Sequence, residues 1–261
     1  MIECAIKAAK EAGKILISGL GHNRNQLNIE KKGIGDYVTA VDKASEKKII
    51  EIIKNTYPDH QIVAEESGFE KSESSYKWVI DPLDGTANYV HAIPVFAVSI
   101  ALMENDEIIL GVINVPEAGE LFYAEKNRGA FLNGKKIHVS DQKHFSDSMI
   151  ATGFPWRSRH LIDPYLKSFR EILTLSAGVR RMGAAAVDLA YTACGRFEGF
   201  YELKLKPWDV AAGAVLIKEA GGLVTDLTGG QDFMSGNIAA GNAVAHKNIV
   251  DVTKKYLGNI S

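Results

Sequence analysis

The sequence contains few cysteines and almost no excess charge. Two cysteines, Cys4 and Cys194, occur among 261 residues without any Cys-x-x-Cys pair, which excludes a disulfide framework and suits a reducing compartment. The formal net charge of −2 leaves no global field to attract nucleic acid or an anionic membrane. Nucleic acid is therefore not expected as a partner.

Long apolar runs and targeting signals are also missing. The longest apolar run, near residues 95–103, has about half of the roughly 20 residues that a membrane-spanning helix needs. Glu3 stands at the beginning of the chain, where no long apolar segment precedes a small-residue cleavage site. These features predict a cytoplasmic protein that does not enter a membrane.

The motifs of several hydrolase classes are absent. The seven histidines form neither HxH nor HExxH, and the chain has no GxSxG nucleophile elbow and no P-loop. The sequence therefore predicts no histidine-based zinc site, no serine nucleophile and no P-loop nucleotide site.

Hydrophobic periodicity divides the chain into two halves. In residues 1–144, helical patterns at 2–20 and 43–57 precede strand-like runs with Asn133-Gly134 as a tight hairpin turn, which predicts helices packed on an antiparallel sheet. In residues 145–261, strands alternate with helices and indicate an α/β unit. We predict an α+β/α/β fold, layered as an αβαβα sandwich, whose halves share an extensive interface because no linker separates them.

Acidic residues recur where strand-like runs end or helices begin. Each one alone could be a helix cap or part of a solvated turn. Several carboxylates that converge without cations would repel one another, so a common site implies a bound metal. Hard oxygen ligands without a nearby Cys or His pair favour Mg²⁺ over zinc or copper. The acids are Asp42, Glu65, Glu66, Asp81, Asp84 and Asp209.

Two of these acids stand three residues apart at the end of an apolar run. Between Asp81 and Asp84, Pro82 fixes one backbone angle, and Leu83 could present its carbonyl oxygen as a further hard ligand. Residues 84–88 look like the beginning of a helix, whose N-terminus would suit a phosphate group. In that helix Asp84 is a candidate N-cap.

Local patterns around the other acids give further expectations. Thr86 would place its hydroxyl beside the metals, where it could orient a water. Asp42 ends the strand-like run 37–42 and stands at a plausible N-cap of the second helix. Glu65 and Glu66 are adjacent in an extended run and should point to opposite faces, so only one would face the metals fully.

These segments resemble the inositol monophosphatase family of Mg²⁺-dependent, lithium-sensitive phosphatases. The resemblance rests on residues 64–67, 78–91, and 207–213 continuing into 219–222, together with 36–42, and covers nearly the whole chain. Within the family, residues 88–91 look more like the branch that acts on inositol phosphate than relatives that cleave 3′-phosphoadenosine 5′-phosphate or histidinol phosphate.

The resemblance implies a metal role for each main acid. Glu65, Asp81 and the Leu83 carbonyl would hold one Mg²⁺, and Asp81, Asp84 and Asp209 a second. Glu65 would also serve a weaker third. Two to three Mg²⁺ ions per active site, and a homodimer, are therefore expected.

It also implies how water and substrate are held. Thr86, with Glu65, would position or deprotonate the attacking water, and Asp42 would support Thr86. The amides of Gly85 and Thr86 would hold the phosphate. The positions that match the substrate's polyol side are Gly183, Ala185 and Glu202, with Lys31 matching a basic residue near the third metal and Glu66 as a supporting acid.

The leading hypothesis is thus a phosphatase that hydrolyses inositol 1-phosphate or a related polyol phosphate. An alternative is fructose 1,6-bisphosphatase or dual activity, since Arg157 in the loop 156–160 could help to bind a second phosphate. Another alternative is a regulatory partner of the transcription machinery, because Arg180, Arg181 and the segment 183–195 resemble family members with that role. A purely structural protein would leave the acid set unexplained.

Overall fold

The computed structural model describes residues 1–21, 29–33, 36–70, 72–155 and 158–258. Within these ranges no helix is both long and apolar enough to cross a membrane. Three single turns of 3₁₀-helix, Phe145–Asp147, Arg159–Leu161 and Phe233–Ser235, lie in the second half of the chain. The α-helices are α1 (Ile2–Gly19), α2 (Ala40–Thr56), α3 (Thr86–Val90), α4 (Ile162–Leu175), α5 (Ala185–Ala193), α6 (Pro207–Glu219) and α7 (Ala243–Leu257).

A large sheet is built from the first half of the chain. Eight strands lie in the order β10-β9-β8-β7-β6-β5-β3-β4, antiparallel except for the parallel pair β3 and β5. A separate antiparallel ribbon precedes it, formed by β1 (Glu30–Gly33) and β2 (Asp36–Val38). The strands of the large sheet are β3 (Gln61–Ala64), β4 (Gly68–Glu70), β5 (Tyr76–Asp84), β6 (Ala97–Glu104), β7 (Glu107–Val115), β8 (Glu120–Glu125), β9 (Gly129–Leu132) and β10 (Lys135–Ile137).

A smaller, mixed sheet is built from the second half. Its five strands lie in the order β12-β11-β13-β15-β14, with β11 parallel to both of its neighbours. They are β11 (Met149–Thr152), β12 (Gly178–Arg180), β13 (Gly199–Glu202), β14 (Leu223–Thr225) and β15 (Ile238–Gly241).

Three hydrophobic clusters show how the layers stack. The first joins α1 and α2 to one face of the large sheet, where Leu16 and Ile49 meet Trp78. The second joins the opposite face of that sheet to α5, α6 and the small sheet. The third covers the outer face of the small sheet with α4 and α7. The predicted αβαβα sandwich is therefore confirmed.

The middle helical layer ties the two halves of the sequence together. Helix α6 is apolar nearly all around, as expected of a helix buried between two sheets. Gly111 on β7 permits this packing, because a Cβ atom there would lie 2.6 Å from the Ala212 carbonyl oxygen. The division into residues 1–144 and 145–261 follows the two sheets, but as a division into domains it remains a prediction.

Most predicted elements are present, and the hairpin at Asn133-Gly134 is confirmed by positive φ angles of 48° and 81°. The run 37–42 is not one strand, because β2 ends at Val38 and α2 begins at Ala40. Asp42 is consequently not the N-cap. Thr39 caps the helix, and Asp42, at the third helical position, accepts from the Thr39 amide in a capping box.

Candidate active site

A bulge at the end of β5 positions the first two acids. Asp81 pairs with Ser99 and Asp84 with Ala97, so three residues of β5 advance against two of β6. Pro82 falls within the bulge, where it needs no partner for a ladder hydrogen bond. The Leu83 amide instead donates to Asp81 Oδ1 at 2.9 Å. The bulge thus ends the regular pairing and fixes the Asp81 carboxylate.

The structure brings Asp81, Asp84 and Asp209 into one cluster. Each offers one carboxylate oxygen, and these atoms all lie within 4.8 Å of one another. Main-chain amides orient two of the groups, because Ala186 donates to Asp84 Oδ2 and Lys206 donates to Asp209 Oδ2, both at 2.7 Å. An amide of α5 therefore orients Asp84 from the first half of the chain, and the amide just before α6 orients Asp209 from the second half.

The carboxylates in this cluster repel one another when they ionise, which favours the binding of a cation. Burial raises the pKa of Asp81 well above its ordinary value, and the neighbouring carboxylates of Glu65, Asp84 and Asp209 raise it further. Burial and then Asp209 raise the pKa of Asp84 to about 7. Oxygen-only donors that repel one another when ionised fit a hard divalent cation such as Mg²⁺.

Thr86 lies beside this cluster because of an unusual turn. Gly85, with φ of 88°, precedes α3 as its N-cap, so the expectation that Asp84 caps this helix is wrong. A side chain at Gly85 would bring its Cβ within 2.9 Å of the Val95 carbonyl oxygen. The Thr86 hydroxyl then lies 3.1 Å from Asp42 Oδ1 and 3.0 Å from the Leu83 carbonyl oxygen.

Asp42 supports Thr86 from beneath the site. Its Oδ2 accepts from both the amide and the hydroxyl of Thr39, at 2.8 and 2.5 Å, which leaves Oδ1 facing Thr86. Burial raises the pKa of Asp42 to about 6, although the hydrogen bonds from Thr39 oppose this shift. Oδ1 of Asp42 is therefore held in place to accept the hydrogen bond from the Thr86 hydroxyl.

Glu65 and Glu66 point in different directions, but not because they share an extended strand. Strand β3 ends at Ala64, and both acids lie in the turn that leads to β4. Glu65 lines the main cavity together with Asp81. The Glu66 amide donates to Glu46 Oε2 on α2, and Glu66 lines a separate surface groove. The predicted extended run through Glu65 and Glu66 is therefore wrong, and the turn separates the two side chains.

The acid cluster lines a cavity of about 410 Å³. Gly183, Ala185 and Glu202 from the second half of the chain line the same cavity, and their contact with the polyol side of a substrate stays a prediction. Arg180 is exposed on β12 and does not line this cavity. Arg157 and the Lys31 side chain fall outside the part of the molecule that the structure describes.

Sequence reasoning missed several residues of the cavity wall, among them the charged residues Arg159, Arg181 and Asp188. Asp188 had a detectable signal. Residues 184–193 form an alanine-rich segment, which predicts a fully buried helix, and a single acid inside such a helix requires an explanation. No sequence pattern predicts that Arg159 and Arg181 line the cavity, because arginines in loops usually face water.

A layered αβαβα fold with a buried carboxylate cluster beside a threonine–aspartate pair defines a metal-dependent phosphatase. A sequence model of the inositol monophosphatase family matches residues 1–257, and the chain belongs to that family. It is accordingly a phosphoric monoester hydrolase.

Similar proteins span nearly the whole chain. The fructose-1,6-bisphosphatase/inositol-1-monophosphatase of Aquifex aeolicus is 44% identical over 98% of this chain and 96% of its own length. The Nus factor SuhB of Pseudomonas aeruginosa is 41% identical, with 98% and 97% covered. The solved inositol monophosphatase of Anabaena (Nostoc) sp. PCC 7120 superimposes with a TM-score of 0.87 at 40% identity, covering 98% of this chain and 96% of that one.

Proposed function

We propose that this phosphatase hydrolyses the phosphate monoester of a small polyol, with inositol 1-phosphate as the leading substrate, and that it requires Mg²⁺. The observation that supports this most directly is the cluster of Asp81, Asp84 and Asp209, whose carboxylate oxygens lie within 4.8 Å of one another and which lines a cavity together with Thr86. The matched family agrees with it.

The residues that would hold the metal are Asp81, Asp84 and Asp209, with Glu65 and the Leu83 carbonyl as further oxygen ligands, and we propose two to three ions per site. When bound, Mg²⁺ supplies Lewis acidity that neutralises the phosphate oxygens and lowers the pKa of a water. The buried acids need this positive charge to ionise together, and burial in turn strengthens their hold on the ion.

The chain's own contribution to proton handling centres on Thr86. Its hydroxyl has one proton and two acceptors behind it, Asp42 Oδ1 and the Leu83 carbonyl oxygen. The proton therefore points away from the cavity, and an oxygen lone pair points into it. That lone pair can accept a hydrogen bond from the attacking water and orient it, while Asp42 Oδ1 accepts the hydrogen bond from the Thr86 hydroxyl proton.

Substrate binding is proposed to divide between residues from the two halves of the chain. The amides of Gly85 and Thr86 are proposed to hold the phosphate beside the acids. Gly183 and Ala185 leave room for a ring-sized alcohol, because neither has a side chain larger than methyl. The carboxylate of Glu202, on the same wall, supplies an acceptor for its hydroxyl groups.

Phosphate release from inositol 1-phosphate tests this proposal. The purified protein should be active with Mg²⁺ and inactive with EDTA, and Asp84→Asn should reduce kcat by at least about 1000-fold because it removes one ligand and one charge. Asp106→Asn, an exposed aspartate in the turn before β7, is the matched control and should keep full activity. Unchanged turnover in Asp84→Asn would refute the assigned metal site.

A second candidate substrate is fructose 1,6-bisphosphate. Arg159 and Arg181 both line the cavity, where they could bind a second phosphate. The activity in the name of the Aquifex aeolicus relative supports the same substrate for this chain. Arg159→Ala should raise KM for the bisphosphate about tenfold and leave KM for inositol 1-phosphate unchanged; an equal effect on both would reject this role.

A regulatory role is a candidate from another class. The Nus factor name of the Pseudomonas aeruginosa relative supports an association with the transcription machinery, and the exposed Arg180 could contribute to such a surface. Pull-down with purified transcription factors, comparing wild type with Arg180→Ala, tests it. The family resemblance also supports a homodimer, which light scattering of the purified protein would detect.

A further inference from the structure

Asn88 is a buried residue of α3 that the proposed chemistry does not use. It lies two residues after Thr86, and its exposed fraction is 8%. Its side-chain nitrogen Nδ2 lies 2.8 Å from the Val95 carbonyl oxygen and 2.9 Å from the Met182 carbonyl oxygen. Because both partners can only accept, these contacts use both protons of the NH₂ group. The side chain of Asn88 is therefore a double donor to the main chain.

The two acceptors of Asn88 belong to different halves of the chain. Val95 lies in the loop between α3 and β6, and Met182 lies in the loop between β12 and α5. The main-chain carbonyl oxygen of Asn88 also accepts from the Ile93 amide at 2.9 Å, which holds the nearer loop a second time. Asn88 thus connects the helix that begins at Thr86 with a loop from each half.

The loop from the second half carries residues of the cavity. Arg181 and Gly183, on either side of Met182, both line it. A Cβ atom at Gly183 would lie only 2.9 Å from Asn88 Nδ2, and a Cβ atom at Gly85 would lie 3.4 Å from the Gly183 carbonyl oxygen. The loop therefore packs directly on Asn88 and on the turn that precedes α3.

We infer that Asn88 is a positioning residue, whose two hydrogen bonds hold the loop of Arg181 and Gly183 at a fixed distance from the turn of Gly85 and Thr86. This inference rests on the proposed function, in which the turn binds the phosphate and the second half binds the rest of the substrate. A substrate that contacts both parts binds more tightly when they are already in place, because less conformational freedom is lost. Asn88 raises affinity in this way without touching the substrate.

Removing the two donors should weaken substrate binding and leave phosphate and metal binding intact. In Asn88→Ala, KM for inositol 1-phosphate should rise about tenfold while kcat changes by less than about threefold, the pattern expected when binding alone is lost. The inhibition constant of inorganic phosphate and the affinity for Mg²⁺ should stay within about twofold of wild type. A general loss of structure would change all of these quantities together.

Amide hydrogen exchange tests the positioning without any substrate. The Ala186 amide donates to Asp84 Oδ2 at 2.7 Å, so its exchange reports whether the segment 181–186 moves away from the first half. Exchange of this segment, measured by mass spectrometry, should be about tenfold faster in Asn88→Ala. Asn88→Asp keeps the shape and loses both donors, so it should accelerate exchange to a similar extent. Wild-type exchange in Asn88→Asp would show that Asn88 only fills space.

Asn114 provides the matched control. It is also 8% exposed, and its Nδ2 donates to the Ala9 carbonyl oxygen of α1 at 3.0 Å. Asn114→Ala should lower the melting temperature, because a buried hydrogen bond is lost. It should leave KM for inositol 1-phosphate and the exchange of the segment 181–186 unchanged.

Two results would overturn the inference. One is wild-type exchange of the segment 181–186 in Asn88→Ala. The other is an equal loss of affinity for inositol 1-phosphate, inorganic phosphate and Mg²⁺, which would assign Asn88 to the fold as a whole. A wild-type protein that does not cleave inositol 1-phosphate would reject the proposed substrate alone, since the exchange comparison needs no substrate and would still decide the role of Asn88.

Discussion

The buried carboxylate of Glu46 accepts a hydrogen bond from the main-chain amide of Glu66, with 2.8 Å between Oε2 and the nitrogen. On the same face of α2, the Ser45 hydroxyl donates to the Pro82 carbonyl oxygen, also at 2.8 Å. Both side chains are at most 4% exposed.

With Asp42, which contacts Thr86, these residues form one polar stripe at positions i, i+3 and i+4 of the helix. Each member contacts a different segment of the candidate site: the beginning of α3, the bulge of β5 and the turn after β3. Helix α2 therefore fixes these three segments relative to one another, and Glu46 orients the turn that contains Glu65.

Removing the Glu46 carboxylate should weaken Mg²⁺ binding without removing a ligand. Loss of the hydrogen bond to Glu66 frees the turn, so Glu46→Ala should reduce Mg²⁺ affinity by about tenfold, as is usual for residues that support metal ligands. Glu46→Gln keeps an oxygen acceptor and should retain most of the affinity. Isothermal titration with Mg²⁺ measures both, and Glu51→Ala, an exposed change on the same helix, is the control.

For kcat, the hydroxyl group of Thr86 is expected to matter more than the shape of the side chain. Thr86→Ser keeps the oxygen that faces Asp42 and should retain at least about a tenth of kcat. Thr86→Val keeps the shape and removes the oxygen, and should reduce kcat by about 100- to 10,000-fold. Rates are measured at saturating Mg²⁺. Similar rates for the two variants would show that the hydroxyl does not orient the water.

The acid cluster should make the metal-free protein less stable as pH rises. The pKa of Asp84 is about 7 in the folded protein and near 4 in an unfolded chain, so the folded state holds a proton that the unfolded state has lost. The resulting stabilisation is complete below pH 4 and disappears as pH rises to 7.

Melting temperatures in EDTA between pH 5 and pH 8 measure this effect. They should fall with pH in the wild type, and fall less steeply in Asp84→Asn, because that side chain does not ionise. Saturating Mg²⁺ should reverse the decline. A melting temperature that rises with pH in EDTA, for wild type and variant alike, would contradict the repulsion inferred for this cluster.

Glu219 should stabilise the fold without affecting turnover. Its carboxylate accepts three hydrogen bonds from the turn before β9, from the amides of Asn127, Arg128 and Gly129 at 2.8, 3.1 and 2.8 Å. Glu219→Ala should lower the free energy of unfolding by about 2 kcal/mol in urea titrations. The exposed Glu117→Ala should have little effect. Loss of kcat in folded Glu219→Ala protein would contradict a purely structural role.

The sequence predicts the layers well because apolar periodicity reflects burial. Strands β6, β7 and β8 and helix α6 follow directly from their apolar patterns. The sequence also identifies Asp81 and Asp209 as candidate metal ligands, since each follows a short apolar segment. The proximity of Asp84 to Asp209 follows only from the family resemblance, because the distance between segments far apart in the sequence depends on packing between the sheets.

Caps and supporting residues were harder to predict for physical reasons. Thr39 and Asp42 are both good N-cap residues, and only the backbone conformation decides between them. Gly85 takes the N-cap position from Asp84 because the left-handed turn there is crowded by Val95 from another segment. In the sequence, Glu46 looks like any other charged residue of a helix. Only the structure, which places the amide of Glu66 beside it, shows its supporting role.

The shared cluster of Asp84 and Asp209 has a consequence for protein synthesis. The chain is made from its N-terminus, so β5 leaves the ribosome long before α6. Until α6 docks, Asp81 and Asp84 lack their third carboxylate and the helix that supplies it, and the nascent chain has an incomplete acid cluster. Catalytic competence should therefore be acquired in one late step, when the second half folds onto the first.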